Sequence, residues 1–232
     1  MPNATCRKND VPNHKPNCKR KNIVLKIDLE PKVIKKPRIT RTISCPASAT
    51  FAELHVAIQM AFAWHDAHLH QFWIIEKRPR SPYPISTLIL CDKSVAFSGE
   101  DEVKDTSDYR LHQFFDNDKL GPRKVVYEYD LGDCWHHEIT CVKREDPTKD
   151  FVCLKGEGHP CAEDVGGCGG WLDMLEAYDA KSPTEEQIQR MKWYADCISP
   201  EGLGGDIRWR WRKDLVNEGL AMIMDCRKRR DT

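Results

Sequence analysis

Thr50-Phe51-Ala52-Glu53 spells a capping box, with Thr50 as N-cap and Glu53 three residues on, and Phe51, Leu54, Ile58, Ala61 and Phe62 then recur at helical spacing. This predicts a helix from about 51 to 64 that buries one face. The segments around it carry the period of a strand instead. Residues 23–29 read as a strand, a second follows near residues 39–44, and residues 70–76 give a third. Residues 124–131 place Val125, Tyr127, Tyr129 and Leu131 on one face and Val126, Glu128 and Asp130 on the other. Gly132-Asp133 marks a turn, and residues 135–143 return with Trp135, His137, Ile139 and Cys141 on one face, which predicts a hairpin. One amphipathic helix among such strands has to pack across their sheet. The expected class is therefore α+β: a mostly antiparallel, β-grasp-like sheet on one long helix, followed by a C-terminal helical segment.

The rest of the chain reads less sharply. Pro79, Pro82 and Pro84 suggest an extended linker. Residues 99–118 hold seven Asp/Glu against Lys104 and Arg110, a pattern for a surface loop with a short element at 110–115. Residues 153–170 read as loop, and residues 171–179 as a short amphipathic helix. Ser182-Pro183-Thr184-Glu185 reads as a second capping box with Pro at the first helical position, followed by Ile188, Met191, Ala195 and Ile198 on one face. A last helix covers roughly residues 213–227.

Lysine plus arginine equals aspartate plus glutamate at 36 each, yet the balance is uneven along the chain. Residues 1–41 hold twelve basic and three acidic side chains, so a basic arm precedes an acidic body. The organisation that follows is a basic tail at 1–22, an α+β domain at 23–225 and a basic tail at 226–232. Seven Trp, seven Phe and six Tyr supply a core and exclude wholesale disorder. No apolar run approaches the ~18 residues of a membrane span, and the N-terminus lacks a signal-peptide core. Eleven cysteines, an odd number, then read as reduced thiols in the cytoplasm or nucleus. Phosphate-loop, dinucleotide, nucleophile-elbow, H-E-x-x-H and C-x-x-C motifs are all missing from the sequence.

Cys6, His14 and Cys18 stand in a C-x7-H-x3-C spacing, a donor set that suits tetrahedral zinc. With Asp10 and Lys15, the stretch resembles the closing part of a MYND-type zinc finger, with Val11 where that finger has Trp. The earlier C-x-x-C pairs are lacking, so the arm reads as a clipped remnant. Three further clusters carry candidate chemistry: residues 64–72 with His68 and His70, residues 127–138 with Asp130, Asp133, Trp135 and His137, and residues 153–167 with Cys153, Cys161, Glu163 and Asp164. Imidazoles and carboxylates in such sets bind metals or transfer protons, and His68 and His70 would share a face on a strand.

In order, Phe51-x-x-Leu54-His55, Trp64-x-x-x-His68-Leu69-His70-x-Phe72, Tyr127-x-Tyr129-Asp130-Leu131-Gly132-Asp133-x-Trp135-x-His137 and Cys161-x-Glu163-Asp164-x-Gly166-Gly167 resemble the plasmid open-reading-frame-three-like family, named from a root-inducing (pRi) plasmid. Members sometimes carry an insertion-element passenger or resolvase-like label. The family's Cys-Pro-Pro-Glu-Asp-Cys-Gly-Gly loses its second Cys here, with Cys168 nearby. The resemblance implies a fold and a site rather than a reaction, and joined to a MYND remnant it looks fungal. The leading reading is an intracellular binding or adaptor protein with a protein or peptide partner. The alternative is an enzyme whose pocket holds His55, His68, His70, Asp130, Asp133, Trp135, His137, Glu163 and Asp164. Cys153 and Cys161 are added as metal ligands, and zinc is the cofactor these sets would take. A third reading, nucleic-acid binding, rests on residues 19–21 and 227–230 and is opposed by the acidic body.

Overall fold

The computed structural model describes residues 20–32, 34–76, 85–91, 103–116 and 123–230. Cys6, His14 and Cys18, and Pro79, Pro82 and Pro84, lie outside the described residues.

Eight strands form one sheet: β1 (Asn22–Glu30), β2 (Thr40–Cys45), β3 (His70–Glu76), β4 (Ile85–Cys91), β5 (Val103–Asp105), β6 (Arg123–Tyr129), β7 (Trp135–Glu145) and β8 (Val152–Glu157). Their order is β5-β4-β3-β6-β7-β1-β2-β8, antiparallel throughout except for the β4–β5 pair. The helices are α1 (Phe51–Phe62), α2 (Leu111–Phe115), α3 (Gly167–Asp179), α4 (Glu185–Cys197) and α5 (Lys213–Arg230), with a 3-10 turn at Ile207–Trp209. The class is α+β with a mostly antiparallel sheet. Among the described residues five helices accompany a sheet of eight strands, which matches the expected class and the C-terminal helices without bearing out a β-grasp-like sheet on a single long helix. No helix among the described residues is long and apolar enough to cross a membrane.

Helix α1 sits where its period places it. The Thr50 hydroxyl accepts from the Glu53 amide at 3.2 Å, and the Glu53 carboxylate accepts from the Thr50 amide at 2.7 Å. Phe51, Leu54, Ile58, Ala61 and Phe62 are all buried, against Ile74, Val125, Tyr127 and Ile139 among others. The β6–β7 hairpin keeps the expected register, with Tyr129 opposite Trp135 and Tyr127 opposite His137.

Two local expectations give way, and one strand is added that the sequence reading does not assign. Residues 152–157 are strand rather than loop: β8 is an edge strand with only Cys153 fully buried, so its state is set by its ladder with β2. Strand β4 lies beyond the proline-rich stretch and pairs with β3. The N-cap of α4 is Thr184, whose hydroxyl accepts from the Gln187 amide, in place of Ser182.

Candidate functional site

The end of α1 builds the site. Ala63 adopts a left-handed conformation (φ 55°) and the Trp64 amide donates back to the Gln59 carbonyl at 3.0 Å, closing the helix and folding residues 64–69 back toward the sheet. Asp66 is also left-handed (φ 57°), and His70 opens β3 directly opposite Tyr129. His55, on the buried face of α1, therefore meets Asp66 and His70 at the end of β3 and β6.

These three residues form a two-histidine, one-carboxylate cluster whose ligand atoms all lie within 4.8 Å of one another. His55 Nε2 is 2.7 Å from Asp66 Oδ1, and its ring stacks on that of His70 at 3.4 Å between centroids. The other nitrogen, Nδ1, is 2.8 Å from the Tyr127 hydroxyl, and that hydroxyl accepts from the Gln59 side-chain amide at 2.9 Å. Gln59 in turn accepts from the Asp66 amide through its side-chain oxygen at 3.1 Å. Burial lowers the His55 pKa to about 4, so this imidazole is neutral at pH 7 and its contact with Asp66 is a hydrogen bond rather than an ion pair. Burial also lifts the Asp66 carboxyl above its ordinary range. His55 is 6% exposed along its side chain and Asp66 53%, so the cluster has one buried wall and one open side.

A second cluster comprises His68, Asp130 and Asp164, again with ligand atoms within 4.8 Å. His68 Nε2 is 3.0 Å from Asp164 Oδ1 and Nδ1 is 3.7 Å from Asp130 Oδ2. Asp130 (φ 57°) and Asp164 (φ 59°) are both left-handed, a conformation that Asp tolerates better than most residues. Between the clusters stands Tyr129, whose ring is 5.8 Å from that of His68 and 6.5 Å from that of His55. Its hydroxyl donates to Glu163 Oε1 at 2.5 Å and accepts from the Ala67 amide at 3.0 Å. Glu163 Oε2 accepts from the His65 amide and contacts His65 Nδ1, both at 2.8 Å.

The remaining candidates divide. Glu163 belongs to the network between the clusters. Asp133 does not face either cluster: its Oδ2 accepts from the Gly166 and Gly167 amides at 3.1 and 2.8 Å, capping α3 and pinning the loop that carries Glu163 and Asp164. Gly167 has φ +64°, and a Cβ there would lie 2.4 Å from the Asp133 carbonyl oxygen. Trp135 and His137 lie in the core, where the His137 ring meets Phe62 and Trp64 edge to face. Neither Cys153 nor Cys161 joins a three-ligand group among the described residues, and burial raises both thiols. The sequence reading passed over Asp66, Gln59, Tyr127 and Tyr129 as site residues. Asp66 stood inside a His-rich stretch, and the two tyrosines alternate toward the same end of β6 as Asp130.

Beside the second cluster, Asp164 also lines a groove of about 330 Å³ with Val165, Met174, Glu186, Gln189, Arg190 and Trp193. The carboxylate neighbours of the Arg190 guanidinium, Asp173 and Glu186, stand at 3.7 and 3.9 Å.

The fold and these segments have relatives. A crystal structure of a protein of unknown function, MM3350 from Methanosarcina mazei, is similar over 84% of this chain and 96% of its own, with a TM-score of 0.63 and 24% identity, which shows a shared fold. An uncharacterized protein, y4hQ from Sinorhizobium fredii, is 26% identical over 164 residues, covering 68% of this chain and 74% of y4hQ. The family described as plasmid pRiA4b ORF-3-like protein matches residues 21–203, which takes in every residue of both clusters, and the chain belongs to that family.

Proposed function

We propose that this chain is a metal-dependent enzyme whose centre is the His55–Asp66–His70 cluster, with zinc or a similar divalent cation held by two imidazoles and one carboxylate. The observation that carries this reading is the convergence of the three ligand atoms within 4.8 Å at one open-sided position. Catalytic zinc sites have three protein ligands and keep one position free, and they suit hydrolysis by polarising a bound water or a carbonyl. The surroundings support it. A neutral His55 is available as a ligand, and the Tyr127–Gln59 pair fixes the orientation of its ring as outer partners do in metal sites.

The test is zinc binding by the full chain carrying Cys6→Ser and Cys18→Ser, so that the N-terminal remnant is silent. One tightly held zinc per chain is expected, with a loss of at least tenfold in affinity on Asp66→Ala or His70→Ala. A protein that binds no zinc, or binds it equally well in those variants, would sink the reading.

The groove favours a second reading, the binding or adaptor protein suggested by the sequence. Its volume lies at the lower end of small-ligand sites, and it combines an apolar floor of Val165 and Met174 with Trp193 and Arg190. Ligand binding that persists in metal-free protein and is lost in Trp193→Ala would support that role.

A further inference from the structure

We infer that the His68–Asp130–Asp164 cluster is a separate site for a hard divalent cation such as Mn²⁺ or Mg²⁺. It goes beyond the zinc reading above and does not require it. The donor set differs from the first in kind: one imidazole and two carboxylates, the oxygen-rich mixture that manganese and magnesium favour over zinc.

The ligands are aimed rather than merely near. Asp130 Oδ1 is already engaged by the Gly132 and Asp133 amides at 2.9 and 3.2 Å, which leaves Oδ2 turned toward His68. The Asp130 amide itself donates to the Leu69 carbonyl at 2.9 Å, so the backbone beside His68 and the carboxylate it faces are locked together. Asp164 approaches from the other side on a loop fixed at both flanks. Glu163 is tied to Tyr129 and His65, and the Gly166 and Gly167 amides are tied to Asp133. Three ligands from three chain segments thus sit on segments fixed by hydrogen bonds of backbone amides and neighbouring side chains that make no use of the metal. Asp164 also lines the groove, so a cation here would lie at one end of it, where an anionic group of a bound molecule could reach it.

The two clusters can be silenced separately. Asn adopts the left-handed conformation as readily as Asp and keeps an oxygen for the Gly132 and Asp133 amides, so Asp130→Asn/Asp164→Asn removes charge without disturbing the turn. The full chain with Cys6→Ser and Cys18→Ser is titrated with Mn²⁺, with free ion read by electron paramagnetic resonance. Two equivalents are expected in this parent, one in Asp66→Ala, one in Asp130→Asn/Asp164→Asn, and none when all three changes are combined. If the first site fails and this one stands, the parent takes one equivalent that survives Asp66→Ala and disappears in Asp130→Asn/Asp164→Asn. The inference is overturned if Asp130→Asn/Asp164→Asn takes as much Mn²⁺ as the parent, or if Asp66→Ala takes none.

Discussion

His137 shows what one side chain can do to the pH response of a fold. It is fully buried, its ring lies between Phe62, Trp64 and Tyr127, and neither nitrogen makes a hydrogen bond of good geometry among the described residues. Burial lowers its pKa to about 3, against about 6.5 in an unfolded chain. Between those values the unfolded state binds the proton and the folded state does not, so stability falls as pH drops from 6.5 toward 3. The slope is at most about 1.4 kcal/mol per pH unit, or about 2 kcal/mol between pH 7 and 5. His137→Leu should remove that component in urea denaturation at the two pH values. At pH 7.5 it should leave stability unchanged or slightly raised, because an apolar group replaces an unsatisfied polar one. A loss of several kcal/mol at pH 7.5 would show that the ring nitrogens have partners. Tyr127 is the matching case near the first cluster. Tyr127→Phe strands Gln59 Nε2 and His55 Nδ1 in a buried site, with an expected cost of about 1–3 kcal/mol and a zinc affinity lowered about 10–100-fold. Unchanged zinc affinity in this variant would separate Tyr127 from the site.

At the scale of elements, the two most informative pieces are a helix start and a helix start borrowed from elsewhere. Helix α1 carries its own cap, and Thr50→Ala should cost about 1 kcal/mol in thermal or chemical unfolding without moving His55, which lies more than a turn further on. Helix α3 has Gly166 as N-cap, with no side-chain oxygen of its own, and takes Asp133 from the hairpin turn instead. Asp133→Ala should therefore cost about 1–2 kcal/mol and, unlike Thr50→Ala, should weaken Mn²⁺ binding, since it frees the loop that carries Glu163 and Asp164. Equal Mn²⁺ affinity in both variants would refute that difference. This contrast also marks how far local sequence could be read. The spelling Thr50-x-x-Glu53 and the alternation around Gly132-Asp133 declare a helix and a hairpin because every partner involved lies within a few residues. The start of α3 at Gly167 and the strand at Val152–Glu157 are silent locally, because the first is capped from 33 residues away and the second is held by β2.

Across the whole molecule, Arg41 joins pieces that are distant in the chain. Its guanidinium is buried without a carboxylate and donates to four backbone carbonyls, of Thr40, Ala61, Glu157 and Gly158, at 2.7–3.1 Å. The same group lies over the rings of Phe62 and Trp211, at 5.2 and 5.1 Å. Burial lowers its pKa to about 10, so it stays charged at pH 7. Arg41→Lys replaces a planar fork with a point charge and leaves most of those carbonyls unpaired. A cost of about 2–4 kcal/mol in a single cooperative unfolding transition is expected, and a change below 1 kcal/mol would show that another group takes over the carbonyls. The sequence by itself determined the α+β class, helix α1 and the central hairpin, because those depend on periodicity and on partners close in the chain. It also placed His55, His68, His70, Asp130, Glu163 and Asp164 among the candidates. Only the tertiary structure decided how they are grouped: His55 with Asp66 and His70, His68 with Asp130 and Asp164, Asp133 to a helix cap and His137 to the core. A residue's type states which bonds it can make, whereas the closing of α1 at Ala63, the pairing of β3 with β6 and the docking of the 163–167 loop on the hairpin state which ones it does make.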